Sequence, residues 1–183
     1  MPEKLTRCRF RGKRSNHGPA NREMHFRSYF TSPFFIEIVF SVWTIHLEGE
    51  ELKVVELGHT DTKHTTALHV PSIALVISGD AVYNNTYAYL AECDEQARGE
   101  WLRALDKIEA LHARAVVAGH GVLDPDSSPR HIGETRNYIR DFNTSVASTS
   151  TAMELYEKML TLHPNRVNPG SLWGTAKIVK PAA

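Results

Sequence analysis

The sequence predicts a layered α/β domain, in which helices pack against a mostly β core. Two observations favour this class. Runs of β-branched and aromatic residues fill 35–78, whereas 94–113 places apolar residues at helical spacing. A short strand and further helical segments follow. A chain of 183 residues is long enough to form one domain that buries roughly 70% of its unfolded surface.

Most of the predicted strands lie in the first half of the chain, before the helices. "FIEIVFSVWTIHL" is taken as one strand, and the hairpin-like "EGEE" leads into "LKVVEL". "TALHV" and "IALVIS", separated by a turn at Pro71-Ser72, are two more, the latter ending at Gly79-Asp80. The short strand "RAVVAG" is expected to end at His120-Gly121.

The helices are predicted from apolar spacing. In "DEQARGEWLRALDKIEALHA", apolar residues from Trp101 to Leu111 recur at intervals of four and three, and Asp94 is the expected N-cap. "RHIGETRNYIRDF" and "TAMELYEKMLTLHP" are two further helices after the loop "DPDSSP". The tail from residue 165 onward is predicted to be irregular.

Charge is unevenly distributed along a chain whose net charge is zero. Residues 1–30 hold eight Lys and Arg against two Glu, a net charge of +6. We interpret 1–34 as a basic, disordered segment and 35–183 as the domain. Such a start is also typical of nucleic-acid-binding arms and mitochondrial targeting segments. Because few aromatic residues interleave its cations, we do not expect nucleic-acid binding.

Cysteine content and hydropathy indicate in which cellular compartment the chain is expected. Cys8 and Cys93 form no disulfide framework and no metal-ligand pair, which favours a reducing, cytoplasmic location, with mitochondria as the alternative. The apolar stretch "SPFFIEIVFSVWTIHL" is too short to span a membrane and contains Glu37 and His46. We therefore predict no membrane segment.

Three polar residues are predicted to lie where an apolar strand ends: His59, Asp80 and His120. Strand ends of α/β sheets are where such folds gather functional groups. Two imidazoles and a carboxylate are a competent ligand set for zinc, iron or manganese.

The surrounding segments carry a family resemblance. "ELGHTDTKHTTALHVPSIALVISGDAVYN" followed by "RAVVAGHG" resembles the later motifs of the metallo-β-lactamase-fold hydrolases, and "NPGSLWG" is similar to the end of some members. The resemblance implies an αββα sandwich with a one- or two-metal site. It also implies hydrolysis of small molecules such as thioesters, lactones, β-lactams or phosphodiesters.

The resemblance also implies residue roles. His59 would help to bind a first metal, Asp80 would bridge two metals, and His120 would bind the second. A water between the metals would then be the nucleophile, because metal binding lowers its pKa to near neutrality.

One motif of the family is missing. No two histidines in the chain are separated by one residue, so the His-x-His-x-Asp-His ligands are absent. Catalytic zinc usually has three protein ligands and a water. Two hypotheses therefore stay open. The chain is a metal-dependent hydrolase with one ion at His59, Asp80 and His120, or it is a non-catalytic remnant without a cofactor that acts in protein interaction.

Nearby residues complete the predicted site. His64 is a candidate substitute ligand if its turn folds back toward His59. Asp61, Tyr83 and Asn84 are candidate pocket residues. Tyr87 is another, and it stands where the relatives often carry a histidine.

The resemblance covers only part of the expected sandwich, mainly the second sheet and its helices. One face of that sheet should then be apolar and uncovered. Because monomers rarely expose large apolar patches, we expect self-association or a protein partner at this face.

Overall fold

The computed structural model describes residues 24–25, 39–41, 43–122 and 126–180. Seven strands form one sheet in chain order: β1 (Met24–His25), β2 (Val39–Ser41), β3 (Thr44–Leu47), β4 (Glu50–Gly58), β5 (Thr65–Val70), β6 (Leu75–Asn84) and β7 (Ala115–Gly121). Four helices follow or interrupt them: α1 (Glu95–Glu109), α2 (Arg130–Ala147), α3 (Ala152–Leu162) and α4 (Pro169–Val179). The predicted α/β class is confirmed.

Strand direction follows the connections. Strands β1 to β6 are antiparallel to their neighbours, while β6 and β7 are parallel and are joined through α1. Parallel strands need such a crossover, because a tight turn cannot return the chain to the same end of the sheet. The ends of β6 and β7 therefore meet at one edge.

The helices cover one face of the sheet. Val55 pairs with Ala67, and Val76 pairs with Val116, so that these side chains share a face. All four belong to or pack against the core, together with buried helix residues such as Trp101. Alternate residues of the same strands point to the opposite face, which we call the open face.

The open face is apolar in every strand from β3 to β7. Register places Ile45 beside Leu52, Val54 beside Leu68, and Ile77 beside both Leu68 and Val117. Ile77 is 41% exposed and Val117 is 39% exposed.

Two local features confirm sequence signals. Glu48 and Gly49 both have positive φ, which is the backbone of the tight hairpin turn predicted between β3 and β4. Asp94 is the N-cap of α1, where its side chain accepts a hydrogen bond of 2.8 Å from the backbone N–H of Ala97.

Two predicted elements were wrong. The run 35–47 contains a hairpin rather than one strand, because Ser41 pairs with Thr44. The tail contains α4, which buries Leu172 and Ala176 on one side. The glycines in "PGSLWG" lower the helix propensity of this segment, so its sequence did not predict a helix.

Some expectations fall outside the described residues. The proposed basic segment 1–34 does so except for Met24–His25, and its boundary with the domain stays a prediction. In the described part of the chain, no helix is long and apolar enough to cross a membrane. The compartment stays a prediction as well.

Candidate metal centre

Asp80 lies within a strand and not at its end, contrary to the sequence prediction. Strand β6 continues to Asn84, and its pairing with β7 shifts register on both sides of Gly79. Gly79 has a φ of 52°, a left-handed conformation that favours glycine. This irregularity is a β-bulge, which re-aims side chains locally.

Asp80 and His120 form a pair between β6 and β7. The Nε2 atom of His120 lies 3.4 Å from Oδ1 of Asp80, and the two side chains are 58% and 42% exposed. Gly119 permits this approach, because a Cβ at position 119 would collide with the Asp80 carboxylate. Gly119, the first glycine of "AGHG", therefore leaves the space in which the Asp80 carboxylate lies beside His120.

Tyr83 packs against the His120 side chain of this pair. It is buried, and its ring stacks on that of His120 with centroids 5.4 Å apart. Its backbone N–H donates to the hydroxyl of Thr135 on α2 at 3.0 Å. Burial raises the pKa of Tyr83, and the charges of Asp61 and Asp80 add to the rise. The phenol is therefore held in its neutral form.

His59 follows β4 directly, as the sequence predicted. Gly58 has a φ of 95°, so the chain turns sharply out of the strand. The amine of Lys107 on α1 donates to the carbonyl of Leu57 at 3.1 Å, which fixes the end of β4. The Nε2 atom of His59 is buried and has no hydrogen-bond partner in the described structure.

His64 and His59 line the same surface pocket. The pocket has a volume of about 360 Å³, and Lys63, Asp94 and Glu100 also line it. His64 is exposed and has a φ of 60°. The turn thus brings the two histidines to one pocket, while the role of His64 as a ligand stays a prediction.

Asp61 is buried in the loop after His59. Its carboxylate accepts a hydrogen bond of 3.0 Å from the hydroxyl of Thr60. Burial raises the pKa of Asp61, the Thr60 hydrogen bond opposes the rise, and the charge of Asp80 adds to it. The charge of Asp80 therefore acts on the Asp61 carboxyl across the site.

Cys93 anchors this loop, a role that the sequence did not reveal. Its thiol donates to the carbonyl of Thr60 at 2.9 Å. Burial raises the pKa of Cys93 to about 12, and the charge of Asp61 contributes to the rise. The thiol therefore stays protonated and can remain a donor. A lone buried cysteine gives no sequence signal for such a contact.

Tyr87 and Asn84 occupy different surroundings from the Asp80–His120 pair. Tyr87 is buried in the core, where its hydroxyl donates to the backbone carbonyl of His163 at 2.7 Å. Asn84 is also buried, and its side-chain amide donates to the carbonyl of Asp126 at 3.4 Å. Tyr87 thus connects the segment after β6 to the chain after α3.

A second polar pocket lies beyond the end of β6. It has a volume of about 490 Å³ and is lined by side chains that include Asn84, Arg130, His131, Glu134, His163 and Arg166. The fully buried His131 ring contacts the Glu134 carboxylate through Nδ1 at 2.8 Å. Sequence reasoning gave these helix-end histidines no role, since nothing in their spacing links positions 131 and 163.

The described residues do not assemble a complete metal site. Asp80 and His120 are adjacent, and the unpartnered Nε2 of His59 is chemically suited to a metal. Within 43–122 and 126–180, however, no three His, Cys, Asp or Glu side chains are grouped so that they could hold one ion. The donor set therefore does not fit the three-ligand arrangement of a catalytic zinc.

Comparison with solved structures identifies the fold. The chain is similar to a metallo-β-lactamase family protein from Thermus thermophilus, with a TM-score of 0.53 and 21% identity over 74% of this chain. A β-lactamase domain protein from Burkholderia ambifaria matches with a TM-score of 0.51 and 19% identity, also over 74%. The chain has a fold of the metallo-β-lactamase type.

The match covers only part of those proteins. This chain spans 44% of the length of the first structure and 43% of the second. No protein-family model and no curated protein sequence matches it. At these identities the likeness establishes the fold and not the activity.

Proposed function

We propose that this chain, by itself, is a non-catalytic protein of metallo-β-lactamase fold. The observation that carries this proposal is the isolated pair of Asp80 and His120, whose neighbours in the described structure supply no third metal ligand. Two ligands would bind a divalent ion weakly, since stable zinc sites in proteins use three or four. Its remaining role would be interaction with another polypeptide.

A second function is favoured by the exposure of the same pair. Asp80 and His120 are 42% and 58% exposed, so another chain can reach both side chains. A partner that contributes further ligands would complete a site for zinc, iron or manganese. The complex would then be a metal-dependent hydrolase acting on a small-molecule substrate, and the metal would supply an activated water.

The metal content of the isolated chain tests the first of these functions. We would measure zinc, iron and manganese in the purified, dialysed protein by mass spectrometry, together with the variants His59→Ala and Asp80→Ala. His112→Ala is the matched control, because His112 is an exposed histidine away from the site. The proposal predicts much less than one bound metal per chain in all four proteins.

Tight binding would overturn the proposal. About one metal per chain, lost in Asp80→Ala and His59→Ala but kept in His112→Ala, would mean that the surviving ligands cooperate. The hydrolase function would then be preferred. In that case, Asp80→Ala should also abolish turnover of any substrate found by screening.

A further inference from the structure

The open face of the sheet is one continuous apolar surface. By register it carries Ile45 and Leu47 on β3, Leu52 and Val54 on β4, Leu68 and Val70 on β5, Leu75 and Ile77 on β6, and Ala115 and Val117 on β7. The described helices pack on the opposite face, whose residues Val76 and Val116 are fully buried. The open face therefore has the composition of a core layer, although no helix within 43–122 and 126–180 packs on it.

The centre of the open face is uncharged. Among the described residues, the charged side chains that register places on it are Glu50 and Glu56, near the two ends of β4. An apolar partner surface would therefore bury no unpaired charge at the centre. A second copy of the chain presents such a surface, and two sheets can pack face to face with side chains interdigitated about 10 Å apart.

The size of the open face suits a weak dimer. Five strands at about 4.8 Å spacing, with about five residues rising about 3.3 Å each, cover roughly 400 Å² in projection. Side-chain relief increases the accessible area above this footprint. Stable interfaces bury about 800 Å² per partner, whereas transient ones bury less. A face of this size fits a transient association rather than a permanent one.

We propose that two copies of this chain associate through the open face, sheet against sheet. Contact is centred on Leu68, Ile77 and Val117, which lie side by side on β5, β6 and β7. The dimer has two-fold symmetry, because both copies contribute the same surface. This inference rests on the sheet face and not on the metal ligands, so its failure would leave the proposed function untouched.

The test is the molar mass of the full chain by light scattering across a series of micromolar concentrations. One chain has a mass of 20.6 kDa, and we expect the mass to rise toward that of two chains. Ile77→Glu places a charge at the centre of the face and should weaken association by more than about tenfold. Ile178→Glu is the matched control, since Ile178 is a 59% exposed isoleucine on α4.

A milder variant covers the case in which Ile77→Glu fails to fold. Ile77→Thr keeps a β-branched residue in the strand and should weaken association by a smaller factor, while circular dichroism reports the fold. Association of wild type and Ile178→Glu, with loss in the variants of Ile77, supports the dimer. Equal behaviour of the Ile77 and Ile178 variants overturns it.

A wild-type chain that stays monomeric also overturns the proposal, and an apolar dye then identifies the occupant. A monomer that does not bind the dye would have the open face covered by its own chain. A monomer that binds the dye would leave the open face for a different protein.

Discussion

The two faces of the sheet differ in burial although their residues are alike. Val116 and Val117 are neighbours on β7, yet Val116 is fully buried and Val117 is 39% exposed. Successive residues of a strand point to opposite faces, so the helices cover one of these valines and not the other. The position of a covering layer, and not the residue type, therefore decides how much each side chain stabilises the fold.

The largest expected effect is on the helix-covered face. Trp101 is fully buried on α1, and its indole N–H donates to the carbonyl of Ala81 on β6 at 2.8 Å. Trp101→Ala should lower the free energy of unfolding by about 3–5 kcal/mol, because it leaves a large cavity and an unpaired carbonyl. Urea denaturation followed by circular dichroism measures this change.

An exposed tryptophan provides the control. Trp43, at the turn before β3, is 50% exposed. Trp43→Ala should change the free energy of unfolding by less than about 0.5 kcal/mol. Similar losses in both variants would show that the helix-covered face is not the main source of stability.

A smaller effect tests the two faces within one strand. Val116→Ala removes two buried methyl groups and should cost about 2 kcal/mol of unfolding free energy. Val117→Ala should cost less than about 0.5 kcal/mol when the chain is dilute. Denaturation at low and high protein concentration would measure both. An equal cost at low concentration would mean that the open face is covered within one chain.

Much of the fold follows from periodicity, because period-two and helical spacings report directly on burial. The spacing of Trp101, Leu105 and Ile108 predicted α1, and all three are buried there. The sequence did not predict α4 because the helix contains Gly170 and Gly174, and glycine has a low helix propensity. Local patterns therefore fail where tertiary packing overrides propensity.

The site was less predictable than the fold. Asp80 and His120 are forty positions apart, and they meet only because β6 and β7 pair in parallel with a bulge at Gly79. Register and bulges depend on long-range pairing, which one sequence does not specify. His59 at the end of β4 was predictable, because an apolar run followed by glycine marks a strand end.

The smallest expected effect concerns a half-buried histidine on the helix side. His163 follows α3, and its Nε2 lies 3.0 Å from the carboxylate of Asp141. Burial lowers the pKa of His163 from its ordinary value of 6.5, and Arg166 adds to the decrease, while Asp141 opposes it. The neutral ring is therefore preferred in the folded chain.

The lowered pKa of His163 fixes the sign with which the free energy of unfolding depends on pH. Between the lowered pKa and 6.5, the unfolded chain binds more protons at His163 than the folded chain does. The contribution to stability is thus fully present above pH 6.5, falls as the pH drops below that value, and levels off beneath the folded pKa.

Urea denaturation at several pH values measures this effect. The free energy of unfolding should depend less steeply on pH in His163→Gln than in wild type. His46→Gln, at an exposed position on β3, should keep the wild-type slope. An unchanged slope in His163→Gln would instead mean that the pKa of His163 is the same in the folded and the unfolded chain.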